Sequence, residues 1–201
     1  MITINGNPIT INGNFINDIV IDPLPPYTLR LKFRNGVTPT FSKGTGIQVS
    51  SSPNIWDLTY ENSDWTDLLS YQYDLLEVIG VGNTSNVTNM ENMFFMLFGR
   101  ASLTSVPLFD TSNVTNMSNM FRNCHSLTAV PLFDTSKVTN MQSMFNECIN
   151  VQSGALALYQ QASTQTTPPT IYNACFRNCG RDTVEGWAEL AQIPTSWGGR
   201  K

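Results

Sequence analysis

The 24 residues Thr111-Ser-Asn-Val-Thr-Asn-Met-Ser-Asn-Met-Phe-Arg-Asn-Cys-His-Ser-Leu-Thr-Ala-Val-Pro-Leu-Phe-Asp134 are followed at once by a second copy, Thr135-Ser-Lys-Val-Thr-Asn-Met-Gln-Ser-Met-Phe-Asn-Glu-Cys148. An earlier copy, Thr84-Ser-Asn-Val-Thr-Asn-Met-Glu-Asn-Met-Phe94, starts 27 residues before Thr111, and a decayed one survives as Cys175-Phe-Arg-Asn-Cys179. Recurrence at a period of about 20 to 29 residues is the mark of a stacked repeat array, in which each unit buries its apolar stripe only against its neighbours.

Within a unit, Asp134-Thr-Ser136 offers side-chain oxygens for a helix N-cap, and Val138, Met141, Met144 and Phe145 then recur at helical spacing up to Cys148. Leu127, Val130 and Leu132 read as the extended part, where Pro131 is tolerable because an edge can spare one amide. The expected fold class is therefore α/β: a short leucine-rich-repeat-type solenoid with coils of about 24 residues, each a short strand plus a short helix. Stacking then sets Met117 over Met141, Met120 over Met144, Phe121 over Phe145 and Cys124 over Cys148. Asn89, Asn116 and Asn140 recur in register, each after Thr, and a repeated Asn at a corner satisfies backbone groups.

Working outward from the repeats, residues 1–52 behave differently. Ile2-Thr-Ile-Asn-Gly-Asn-Pro8 is echoed by Ile9-Thr-Ile-Asn-Gly-Asn-Phe15, and alternation meeting Asn-Gly is a hairpin signal. Tyr27, Leu29, Leu31 and Phe33 share one face of a half-buried strand, and Gly44–Ser50 offers another. These residues are expected to form a small N-terminal β module that attaches to a larger assembly or covers the open end of the stack. The repeats and their cap then occupy 53–201, with a helix beginning at Ser63 or Asp64 and Leu75–Ile79 standing where Leu103–Leu108 and Leu127–Leu132 stand later. Ala155–Ala162 reads as a longer helix. Asp182-Thr-Val-Glu185 reads as the capping box of a final helix whose Trp187, Leu190 and Ala191 close the stack.

Charged residues are 13% of the chain and the net charge is −4, against roughly a quarter charged in an average soluble protein. The surface is therefore dressed with Asn, Thr, Ser and Gln, which suits glycans, proteins or a crowded particle and disfavours nucleic acid. No stretch reaches the roughly 18 apolar residues of a membrane span, so no membrane insertion is expected, and the start lacks the pattern of a secretory signal. Cys124, Cys148, Cys175 and Cys179 match no common zinc or redox spacing and are expected to be reduced and buried.

Three groups of residues have the side chains that chemistry would need. His125 is the only histidine, and it adjoins Cys124, but adjacent residues point apart and make a poor nucleophile and base pair. Asp57, Glu61, Asp64 and Asp67 beside Trp56, Tyr60 and Trp65 have the composition of a glycosidase cleft, although caps and solvated positions explain them as well. Four thiols could form a tetrathiolate only by leaving the core. The expectation is no enzyme activity, no cofactor and no metal.

The run Phe-Asp-Thr-Ser-Asn-Val-Thr-Asn-Met, followed by Met-Phe, Asn-Cys and Ser-Leu-Thr, resembles the repeat of the BspA-like leucine-rich-repeat surface proteins, closely over 84–150 and more loosely over 53–179. The resemblance implies surface-displayed proteins that bind other surfaces, including adhesins and repeat proteins encoded by bacteriophages, and it implies no catalytic residues. Without a leader, a virion-associated display protein is expected, with a purely structural decoration or spacer and a bacterial cell-surface adhesin as the other possibilities. Its partners would be other virion proteins through residues 1–52 and a host-surface glycan or protein, with several copies displayed or a homo-oligomer formed. If identical positions point inward, those that differ between coils point outward, which defines a candidate binding face of Glu91, Asn92, Ser118, Asn119, Arg122, Asn123, Gln142, Ser143, Asn146 and Glu147.

Overall fold

Alternation in Thr28–Phe33 puts Leu29, Leu31 and Phe33 into the core and leaves Arg30 and Lys32 half-buried. In the computed structural model, which describes residues 3–4, 7–8, 24–97 and 102–200, this strand is β3. Two short strands precede it, β1 (Thr3–Ile4) and β2 (Asn7–Pro8), paired antiparallel as the first Asn-Gly signal predicts. The echo at Ile9–Phe15 lies outside the described residues. With β4 (Thr45–Ser51), β5 (Asn54–Thr59) and β6 (Leu75–Val81), β3 forms an antiparallel sheet in the order β4-β5-β3-β6. That sheet straddles residue 52, where the sequence suggested a boundary, because β4 and β5 are two arms of one hairpin.

The repeats do stack, but not as a leucine-rich-repeat-type solenoid of strand-plus-helix coils, and that expectation is overturned. Among the described residues the α-helices are α1 (Ala155–Thr164) and α2 (Val184–Leu190), both outside the exact repeats. The stretches expected to be helical, including the one after Ser63, are successions of tight turns. The cause is a left-handed residue in every loop: Asp67, Asn92, Asn119, Ser143 and Ala174 all have φ between 53° and 58°. Most loops carry another four residues on, at Tyr71, Asn123, Glu147 and Asn178. One such residue ends an α-helix, since the chain cannot continue its right-handed path through it. The apolar spacing of three and four residues comes instead from turns closed by bonds to the carbonyl three residues back. Examples are the amides of Met120 on Met117 (3.2 Å), Arg122 on Asn119 (3.1 Å) and Cys124 on Phe121 (3.0 Å).

The alternate amides point along the stack. Those of Met117, Asn119, Phe121 and Asn123 each donate, at 2.9 Å, to Asn140, Gln142, Met144 and Asn146 of the next loop. Single parallel bridges Asp64–Asn89–Asn116–Asn140–Ile171 carry the same register through five loops. Phe94, Phe121, Phe145 and Phe176 stack face to face at 5.0, 5.1 and 6.0 Å, and the paired Met and Cys positions named above are fully buried. Each added loop buries about four large side chains, worth roughly 1.5 to 3 kcal/mol each before chain entropy is subtracted.

The sheet closes the first end. Its Leu29, Leu31, Phe33 and Leu58 share one core with Trp65, Leu68 and Leu69 of the first loop, the Lys43 amine reaches the Thr66 carbonyl, and Gln72 Nε2 donates to Thr40 at 2.8 Å. At the other end Trp187 is 42% exposed. The ring that lies over the last loop is Trp197, stacked on Tyr172 at 4.3 Å and on Phe176 at 6.4 Å. Helix α2 is capped by the Thr183 hydroxyl, not by Asp182, and lies against Gly180, where a side chain on Gly186 would collide with backbone.

Candidate binding face

The flank of the stack is built by small polar residues that bond to backbone. Asn89, Asn116 and Asn140 each accept, through Oδ1, the amide two residues on (Glu91, Ser118, Gln142) at 3.0 Å. The same Asx turn recurs at Asp110 and Asp134 with Ser112 and Ser136, and the Ser112 hydroxyl holds the exposed Asp110 carboxyl below its ordinary range. Thr84 and Thr111 are buried and donate to the Asp110 and Asp134 carbonyls of the next loop at 2.9 and 2.8 Å. Leu108 and Leu132, in the segments read as extended, are 61% and 51% exposed, and Phe109 and Phe133 beside them take the interior.

The ten variable residues fall in adjacent rows of this flank, yet the assumption that variable means outward fails. Ser118, Ser143 and Asn146 are buried, while Glu91, Asn92, Asn119, Arg122, Asn123 and Glu147 are half-buried. Of the ten only Gln142 is exposed. Asn92, Asn119 and Ser143 share the left-handed region, which Asn adopts readily and which narrows the choice of residue there, and their amides donate to the Ser118, Gln142 and Asn173 carbonyls of the next loop. Three polar anchors remain on the face. Glu91 Oε2 accepts from Asn116 at 3.0 Å, Glu147 takes Asn178 at 2.6 Å and Arg181 at 3.2 Å, and Arg122 lies 5.8 Å from the Phe95 ring. Sequence comparison between loops missed Tyr71 and Phe95, an edge-to-face pair at 5.8 Å on the same side; Tyr71 belongs to a loop whose repeat signature is erased, and Phe95 occurs once.

Asp57 is forked on Arg30 at 2.8 and 2.7 Å, Asp64 is exposed and accepts from Thr66, and Trp65 is wholly buried. Thr59, Tyr60 and Glu61 line an open depression of about 570 Å³ with Gly44, Thr45 and Ile47. His125 is half-buried, and desolvation pulls its pKa down. All four cysteines are free and buried; Cys124 and Cys148 donate to the Phe94 and Phe121 carbonyls at 3.2 and 3.0 Å. Burial pushes every one of these thiols far above its ordinary pKa, which suppresses the thiolate needed for nucleophilic or ligating chemistry.

A family model described as "Mycoplasma protein of unknown function, DUF285" matches residues 96–178, which is less than half of the chain. No curated protein and no solved structure matches.

Proposed function

We propose that the chain is a non-enzymatic adhesion module, displayed on a bacteriophage particle, whose stacked loops present a neutral, amide-rich flank to a glycan or protein of the host surface. The observation that carries this reading is the division of labour within each loop. Repeated apolar residues fill the interior, and Asn, Ser and Thr fix the backbone, so the residues between them can change without loss of fold. The N-terminal strands would serve attachment to other proteins of the particle. The virion setting rests on the resemblance of the repeat, and it makes display in several copies the source of tight binding, since one short stack offers a small area. Retention of the purified, fluorescently labelled chain on host cells, raised by forced multimerisation, is the expected result. No retention even as a multimer would overturn adhesion and leave a spacer or decoration of the particle.

A further inference from the structure

The four-stranded sheet has two edges, and they end differently. β6 runs on into the stack: the Val78 amide donates to Ser105 at 3.3 Å, the Leu76 carbonyl accepts from Thr104 at 2.8 Å, and Glu77 and Ser105 form a parallel bridge. β4 pairs with β5 alone, and among the described residues no other strand meets its outer side. Such an edge is a template for a further strand, and proteins ordinarily blunt it with charge, proline, a bulge or a covering element. Thr45-Gly-Ile-Gln-Val-Ser-Ser51 has neither charge nor proline, and Ile47 and Val49 are 65% and 52% exposed. Of these devices it shows a register shift between Gln48 and Ser50, which leaves Val49 unpaired with β5 without covering the edge.

The order of residues in β4 says what fits there. Outward from Gln48 in both directions it runs Ile47 and Val49, then Gly46 and Ser50, then Thr45 and Ser51: two branched apolar residues, two small ones, two hydroxyls. A two-fold antiparallel pair demands that match, because residue i of one strand faces j of the other and j faces i. A foreign strand demands no such symmetry. The Gln48 side chain is drawn back toward β5, where its Nε2 donates to Asn54 Oδ1 at 3.0 Å. We propose that β4 pairs antiparallel with β4 of a second copy about Gln48, Ile47 of each against Val49 of the other. The two sheets then join into one, with β6 and its stack at either end. In a chain of net charge −4, a strand without charge brings no like charges face to face. The pairing goes beyond the adhesion reading and holds whether or not the stacks bind a host.

Sedimentation velocity of the full chain from about 1 to about 200 µM spans the weak affinities of small interfaces and is expected to show monomer passing to dimer. Ile47→Lys, at an exposed position, should raise the dissociation constant about tenfold without moving the thermal melt. Adding Val49→Glu to it should recover most of that loss, since each ammonium then faces a carboxylate across the two-fold axis. In the unaltered chain, hydrogen exchange of the 45–51 amides should slow as concentration rises. A chain that stays monomeric throughout, a dimer that tolerates Ile47→Lys, a double variant no tighter than the single one, or exchange independent of concentration would each overturn the proposal.

Discussion

The sheet over residues 28–81 and the stacked loops after it bury the same classes of side chain by different backbone means. In β3 every second residue faces inward because the chain is extended, and its amides pair laterally with β5 and β6. In the loops the amides alternate too, but one set closes turns three residues back while the other reaches the next loop. Inward residues therefore recur at three and four, as in a helix, although the chain makes no helix there. Hydrophobic spacing reports which residues share a dry side; it does not report the sign of φ at the residue between them.

The comparison is broken most directly at its centre. Phe121 is fully buried between Phe94 and Phe145, at 5.0 and 5.1 Å. Phe121→Ala is expected to lower the free energy of unfolding by about 3–5 kcal/mol in urea titrations. Phe41→Ala, at the half-buried margin of the sheet, should cost clearly less. Equal costs would show that the loops are no more tightly packed than the cap's edge.

All four cysteines belong to the stack and none to the sheet, so alkali should discriminate the two regions. Burial raises each thiol's pKa in the folded chain, so between the unfolded value, about 8.5, and the folded one the native state holds protons that the unfolded state has lost. Stability from this source is complete below about pH 8.5 and falls as pH rises, by up to about 1.4 kcal/mol per pH unit for each thiol. Denaturation midpoints measured from pH 7 to pH 10 should drop accordingly, and Cys148→Ala should flatten the slope by one thiol's share. A pH-independent midpoint would mean that water reaches the thiols.

How far the chain could be read follows from the same distinction. The alternation of Leu29, Leu31 and Phe33 and the ladders of Met, Phe and Cys were legible, because identical residues at a fixed period can share an interior only by stacking. The first loop was legible as a unit with Trp65, Leu68 and Leu69 on its inner side, but not as a succession of turns, since these residues recur at the helical spacing of the Met, Met and Phe that they replace. The closing Trp197 was hidden in a short tail beyond α2. On the flank, variability marked half-buried Arg122 but also buried Ser143, because a difference between two copies does not by itself report exposure: Ser143 holds the left-handed position that Asn92 and Asn119 hold in the earlier loops. Tyr71 and Phe95 carry no repeat signal at all and become neighbours only when the loops are superposed.

The finest test of the difference between regions lies at Asn119, with φ of 54°. Were this residue inside a helix, Asn119→Gly would cost a few tenths of a kcal/mol, since Gly is the poorer helix former. In the left-handed region glycine has no Cβ to crowd the following carbonyl, so the substitution should leave stability unchanged or slightly raised despite the looser unfolded chain. Asn119→Val should instead cost about 1–2 kcal/mol, because a β-branched side chain meets that crowding and has no polar group to relieve it. The two substitutions thus move in opposite order from the one a helical coil demands, and chemical denaturation of the pair decides between a turn-built stack and a helical one.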